Sequence, residues 1–199
     1  WALRARCFGA PDLDQPDPFD AAARHFVVEE TGTGQVLCSF RLTAHRGPSV
    51  DQGYAGQVYD LSPLHEVEGV MLELGRFCIA PDSANPDIAR LAWGRLAREV
   101  DGQGAGLLFG CSSFAGTTPA PYRDAFGVLQ ARHLAPEHRR PGVRAGEVLP
   151  LRDIGSASPD PRRATQGLPT LLRSYLAMGG WVSDHAVVDR SLDTLHVFT

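Results

Sequence analysis

Two apolar runs of strand character, Val70–Ile79 and Gly106–Cys111, enclose an amphipathic segment at 87–100, and this triplet limits the architectures open to the chain. The second run, Gly106-Leu107-Leu108-Phe109-Gly110-Cys111, is apolar without alternation, the pattern of a central strand covered on both faces. Between the runs, Ile88, Ala92, Trp93, Leu96 and Val100 share one broad helical face, with Arg90 and Arg98 opposite. Strand, helix and strand in this order predict a mixed sheet with helices on its faces.

The flanking segments extend that plan. Leu3–Phe8 reads as the tail of a helix that stops before Gly9 and Pro11, and an acidic, Pro-broken loop covers Asp12–Asp20. Strands at His25–Glu29 and Gln35–Leu42 flank Thr31-Gly32-Thr33-Gly34, a short hairpin turn. Pro81-Asp82-Ser83 opens a turn after the first central strand, and Arg132–Arg163, rich in Pro and Arg, reads mostly as loop. Leu168, Leu171, Leu172 and Tyr175 form a helical stripe, with Pro169 near its start and Gly179-Gly180 at its stop. Short strands at Ala186–Val188 and Leu195–Phe198 close the chain. Without a repeat or a long linker, the 199 residues are expected to form a single domain spanning 1–199.

Composition excludes several chemistries. All 19 basic residues are Arg, so Schiff-base and pyridoxal mechanisms and phosphate-loop NTPases, which need a Lys, are out. The net charge of −4 is uneven: residues 132–163 hold 7 Arg against 4 acids, while residues 1–131 hold 10 Arg against 16. That excess is too narrow for a nucleic-acid binder, and none is expected as a partner. It suits either an acidic partner or anionic lipid, or a solvated loop. Cys7, Cys38, Cys78 and Cys111 show no metal-ligand or redox spacing, so reduced thiols in a cytosolic protein and no metal site are expected. No apolar run reaches the roughly 18 residues of a membrane span. The opening Trp1-Ala2-Leu3-Arg4-Ala5-Arg6 puts charge where a signal peptide would be apolar.

Two stretches carry candidate chemistry. Glu73 and Arg76 lie in the strand Val70–Ile79, and strict alternation sends them to opposite faces unless Gly75 marks a bulge or bend. On pattern alone, a buried ion pair or an edge charge accounts for them as well. In Leu108–Phe114 an apolar strand ends in the hydroxyls Ser112 and Ser113, where strand ends expose backbone donors. A serine nucleophile is not expected, because there is no Gly-x-Ser-x-Gly elbow. The seven His residues are scattered and read as surface or structural.

Taken in order, further segments join these. They are Asp17-x-Phe19-Asp20, His25–Val28, Phe40-Arg41-Leu42, Glu73-Leu-Gly-Arg76-x-Cys78-Ile79 and Leu108-Phe109-Gly110-Cys111-x-Ser113-Phe114. Leu168–Leu176, Gly180-Trp181-Val182 and Ala186–Asp189 complete the set. From Leu3 to Phe198 this series resembles the ornithine–acyl-carrier-protein N-acyltransferases, a family also called hemolysin-like. Glu73-x-x-Arg76-Phe77-x-Ile79 and Phe40-Arg41-Leu42 are also similar to the acyl-homoserine-lactone synthases. The resemblance implies an α/β (α+β) fold of the GNAT N-acyltransferase type, a splayed mixed β-sheet with helices on both faces. In that fold a pantetheine arm enters between Val70–Ile79 and Gly106–Cys111.

The resemblance also implies an activity. A 3-hydroxyacyl or related acyl group would pass from acyl carrier protein to the α-amine of ornithine, giving a lyso-ornithine lipid. Such an amine titrates near 8, so freeing its lone pair at pH 7 costs only about 1.4 kcal/mol. Glu73 is then the candidate base or amine-orienting group, and Arg76 fixes Glu73 or the substrate carboxylate. Asp17, Asp20, Arg41 and Phe77 are carried over as substrate-site residues. Phe109, Gly110, Cys111, Ser112, Ser113 and Phe114 are carried over for the acyl-pantetheine arm, with backbone amides at Gly110–Ser113 as oxyanion donors. Acetyl-CoA users of this fold carry a Gly-rich loop before the central helix. Here Pro81–Asp87 lacks those glycines and holds two acids, which argues for a carrier-protein thioester as co-substrate, with no bound cofactor. Acyl carrier proteins are acidic, which suits the Arg-rich segment. The enzyme would be cytoplasmic, with transient peripheral contact at the inner membrane. The competing readings are an acyl-homoserine-lactone synthase, which Tyr175-Leu176 and Gly180-Trp181-Val182 disfavour, and a non-enzymatic membrane-binding protein using the 87–100 helix.

Overall fold

A computed structural model describes residues 2–9, 15–83 and 85–199, so the Asp12–Asp14 part of the expected acidic loop lies outside the described residues. The elements are α1 (Ala2–Phe8), β1 (Arg24–Glu29), β2 (Val36–His45), β3 (Tyr59–Asp60), β4 (Val70–Ile79), α2 (Pro86–Gln103) and β5 (Ala105–Ala115). They continue with α3 (Arg123–Arg132), β6 (Gly142–Val143), β7 (Val148–Pro150), α4 (Leu151–Ile154), α5 (Pro161–Gly167), α6 (Thr170–Ala177), β8 (His185–Asp189) and β9 (Thr194–Phe198). The chain gathers into two compact units, one of residues 1–49 and 67–109, the other of residues 50–66 and 110–199.

In the first unit the strand order is β1-β2-β4-β5. The hairpin β1–β2 closes as its Thr-Gly-Thr-Gly turn predicts, with Gly34 at φ +70° donating to the Glu30 carbonyl. One face of the strands stacks Phe26 on Phe40 (4.9 Å) and Phe40 on Phe77 (5.6 Å), and Trp93 of α2 packs against Phe77. The next residue, Cys78, turns to the other side and joins Leu3 of α1 and Ala80. Helices therefore cover both faces of this mixed α/β unit, as expected. Asn85 caps α2, accepting from the Asp87 amide at 2.9 Å, and Gly104 ends the helix at φ +58°. Its apolar face buries Ile88, Ala92 and Leu96. Glu99 is buried with them, held by Arg24 and Arg95, whose guanidinium groups both lie over the Phe26 ring. No helix among the described residues is long and apolar enough to cross a membrane.

In the second unit the strand order is β5-β9-β8-β7. Its core gathers Phe114, Phe126, Leu129, Leu172, Leu195 and Val197. The Arg132–Arg163 stretch is more ordered than its composition predicts, since it forms β6, β7, α4 and the start of α5. Two-residue and three-residue strands are too short to show a period, so they read as loop. The helix α3 also escaped the sequence reading. Its buried residues Ala125, Phe126, Gly127 and Leu129 are few and centre on a glycine, which lies against the Ser156 carbonyl.

Polar groups are also buried in this unit. His196 is 1% exposed, with Nδ1 3.2 Å from the Tyr59 hydroxyl, which donates to the His196 carbonyl at 2.8 Å. Burial pushes the His196 imidazole down to about 4. The unfolded chain protonates a histidine near 6.5, so acid stabilises the unfolded state first. Stability linked to His196 is complete above about pH 6.5 and falls, by about 3 kcal/mol in total, as pH drops to about 4. Thermal melts across that window should show a steep acid limb that His196→Asn flattens; equal slopes in both proteins would clear His196 of the effect.

Candidate active site

The pairing of β2 with β4 builds the site within the first unit. Arg41 stands opposite Gly75, Thr43 opposite Glu73 and His45 opposite Met71, so Arg41, Thr43 and His45 share one face with Glu73. Between Gly75 and Cys78 the register slips: β4 spends three steps where β2 spends two, from Arg41 to Ser39. The extra residue is Arg76, in left-handed conformation at φ +53°, a bulge one position after the expected Gly75. A non-glycine residue is uncommon there, and such positions cluster at functional sites. Gly75 has its own reason to be glycine, because a Cβ would stand 3.1 Å from Arg41 Nε.

The bulge brings Arg76 to the carboxylates that Arg41 also reaches. Arg41 Nη1 lies 2.6 Å from both Asp17 Oδ1 and Asp20 Oδ1. Arg76 Nη2 lies 2.8 Å from Asp17 Oδ2 and 3.2 Å from Asp20 Oδ2. The segment carrying the two acids is folded on itself, with Asp17 donating its amide to Asp20 Oδ2 and Phe19 donating to Asp17 Oδ1. Burial acts to raise the Asp17 carboxyl, but hydrogen bonds and charge from Arg41 and Arg76 outweigh it and hold the group below the usual carboxylate range. The same acids hold the Arg41 guanidinium above its ordinary value against its burial. Nε and Nη1 of Arg76 are buried without a partner among the described residues.

Glu73 itself is 5% exposed. Its Oε2 lies 3.4 Å from Nε2 of His45, whose Nδ1 lies 3.0 Å from the Ser49 carbonyl. The Phe109 ring packs beside the imidazole, with centroids 6.0 Å apart. Sequence reading missed His45 because it ended this strand at Leu42. Counting every second residue onward from Arg41 would have placed it on the same face. Glu73, Arg76, Asp17, Asp20 and Arg41 thus share one side of β2 and β4, while Phe77 turns to the opposite face and packs on α2.

The remaining site residues lie on β5. Gly110 exchanges both backbone hydrogen bonds with Thr199, at 3.0 and 2.9 Å. Antiparallel alternation then directs the Ser112 and Phe114 amides to β9 as well, and turns that of Ser113 to the other edge. Gly110 and Ser112 are therefore engaged as donors, which narrows the set of amides open to an oxyanion. The Ser112 hydroxyl accepts from Thr199 Oγ1 at 2.9 Å, and Phe114 is a core residue whose ring packs at a tilt on Phe126, centroids 4.8 Å apart. Among the described residues, no group of three or more His, Cys, Asp or Glu could hold a metal ion.

A family model for the Acetyltransferase (GNAT) domain matches residues 5–94, the stretch holding Asp17, Asp20, Arg41, Glu73 and Arg76. The chain is 33% identical over 189 residues to the L-ornithine N(alpha)-acyltransferase of Rhodobacter capsulatus, a match spanning 92% of this chain and 72% of that protein. It is 26% identical over 211 residues to the protein of the same name from Brucella abortus, covering 98% and 72% of the two. To the namesake in Rhizobium meliloti it is 28% identical over 196 residues, covering 91% and 64%.

Proposed function

Because the chain belongs to the L-ornithine N(alpha)-acyltransferase family, we propose that it moves an acyl group from an acyl-carrier-protein thioester to the α-amine of ornithine. The observation that carries the chemistry is Glu73, a buried carboxylate in a strand whose next turn is a bulge. A thioester is already activated, so the enzyme needs no nucleophile of its own. It needs a neutral amine held near the carbonyl and a donor for the oxyanion. Glu73 takes the amine proton in this reading. Arg76, with donors left over on Nε and Nη1, is suited to the acceptor's carboxylate, and the Asp17–Asp20–Arg41 set holds Arg76 in its bulge.

The start of α2 supports the choice of donor. In acetyl-CoA users of the fold, helix amides there receive a pyrophosphate. In this chain the Asn85 side chain takes the Asp87 amide, Pro86 has no N–H to offer, and Asp87 sets a carboxylate in the first turn. An incoming pyrophosphate meets a negative charge and few donors, which supports a carrier protein over free coenzyme A. The product is an acylated amino acid. Its release supports transient contact of a cytoplasmic enzyme with the inner membrane surface.

The test is incubation with acyl-acyl-carrier-protein and labelled ornithine, followed by lipid extraction. Labelled N-acylornithine should appear, and far more slowly when the same acyl group is offered on coenzyme A. If no acylated product forms from carrier-bound acyl groups with ornithine or another common amine, the reading fails.

A further inference from the structure

The character of the Glu73–His45 contact depends on which ring nitrogen of His45 carries the proton. The Ser49 carbonyl can only accept, so the Nδ1 of His45, at 3.0 Å from it, must be the donor. That carbonyl is itself anchored, because the Arg46 amide donates to Ser49 Oγ at 2.8 Å and Oγ donates back to the Arg46 carbonyl at 2.9 Å. In the neutral ring this tautomer leaves a lone pair on Nε2, and that lone pair faces Glu73 Oε2 at 3.4 Å. Two acceptors confront each other, both side chains being only 6% exposed. The separation exceeds the ~2.7–2.9 Å of a charge-assisted hydrogen bond. One proton added to this contact would close it from either side, as a carboxylic acid on imidazole or an imidazolium on carboxylate.

We propose that His45 is the proton partner of Glu73, and that the pair takes up the proton lost by the acceptor amine. This rests on the acyl-transfer reading above. An ammonium acceptor gives up two N–H protons on the way to an amide. The first passes to Glu73 and frees the lone pair that forms the C–N bond. The second is lost as the C–S bond breaks. One of the two protonates the departing thiolate, and the other leaves to water. A carboxylate alone would have to release its proton before receiving another, and Glu73 is only 5% exposed. With Nε2 beside it, the first proton rests between Oε2 and the imidazole.

On the same face, Arg41 and Arg76 pair with Asp17 and Asp20, two positive charges against two negative, and the titratable His25, opposite Arg41, lies 3.9 Å from Asp20 Oδ1. The Phe109 ring beside His45 offers no acceptor. His45 acts through Glu73, so it is a positioning residue and need not touch the substrate.

Two readouts test this. His45→Asn keeps an N–H for the Ser49 carbonyl and removes Nε2; it should lower kcat about 10- to 100-fold with little change in the KM for ornithine. It should also alter the acid limb of the pH profile of kcat, which a structural role would leave in place. Should that variant fold poorly by circular dichroism, His45→Gln, which directs an N–H at Glu73 in place of an acceptor, should be similarly slow. Turnover within twofold of wild type across the profile, or a rise in KM alone, overturns the proposal. The second readout needs no substrate. Nitrogen-15 NMR of the histidine rings, with His45 assigned by its loss in the variant, should show the proton on Nδ1 and none on Nε2 at the pH of turnover. A proton on Nε2, in a neutral or a cationic ring, sinks the idea. If the wild-type protein does not acylate ornithine at all, the functional reading fails while the NMR result still judges the pair.

Discussion

Glu73→Gln should lower kcat for ornithine acylation by about 10²- to 10⁴-fold, the usual contribution of a positioned general base. The substitution keeps shape and volume and removes only the ability to take a proton. Its effect on stability should be small and of the opposite sign. In the tautomer proposed for His45, Oε2 faces a lone pair on Nε2 at 3.4 Å, and a glutamine amide in that place can donate where the carboxylate could not. The melting temperature should therefore hold or rise while turnover collapses, which separates chemistry from unfolding. The KM for ornithine should move far less than kcat, because the lost interaction is made as the proton transfers. Glu73→Asp, which withdraws the carboxylate by one methylene, should fall between the two. Turnover of Glu73→Gln equal to wild type would remove Glu73 from the base role.

The strand that carries Glu73 was legible because its boundaries rest on a simple pattern. Val70–Ile79 has an apolar alternation ended by Pro81, and the structure shows the same bounds. What alternation could not supply was the side on which Arg76 emerges. Period-two counting separates Glu73 from Arg76, and only the extra residue at φ +53° reunites them; a bulge at a non-glycine leaves no local signature in sequence. The Asp17 and Asp20 partners of Arg41 lie 24 and 21 residues away, across a turn and a hairpin, so periodicity is silent about them. They came from the ordered motifs of the resemblance. His45 fell to a different cause, a strand ended three residues early where Thr43 and Ala44 dilute the apolar pattern. The α2 helix shows the reverse case. Its apolar stripe was read correctly, yet Glu99 is buried on that side because Arg24, from a distant strand, arrives to pair with it.

Arg41→Met should destabilise the fold by about 3–5 kcal/mol, the usual effect of removing one partner from a buried ion pair. Arg41 is 4% exposed and its Nη1 holds both Asp17 and Asp20, so the substitution removes one of the two guanidinium groups that pair with these carboxylates and leaves Arg76. For a chain of this size the melting temperature should drop by about 10 °C. Arg41→Lys should recover part of the loss, since one ammonium can face both carboxylates as Nη1 does, though from a different stem. The pH dependence should change with it. Arg41 and Arg76 hold the Asp17 carboxyl below its unfolded value, so that stabilisation is present above roughly pH 4 and is lost as pH falls through the lowered folded value. In Arg41→Met the acid loss should be smaller and end at higher pH, because the folded carboxyl is held less far below its unfolded value. Activity should fall as well, since Arg76 owes its position in the bulge to the same two acids. A melting temperature within a few degrees of wild type would mean that the four charges contribute no more than a surface cluster. The strained backbone at Arg76 would then have to be held by the β2–β4 ladder alone.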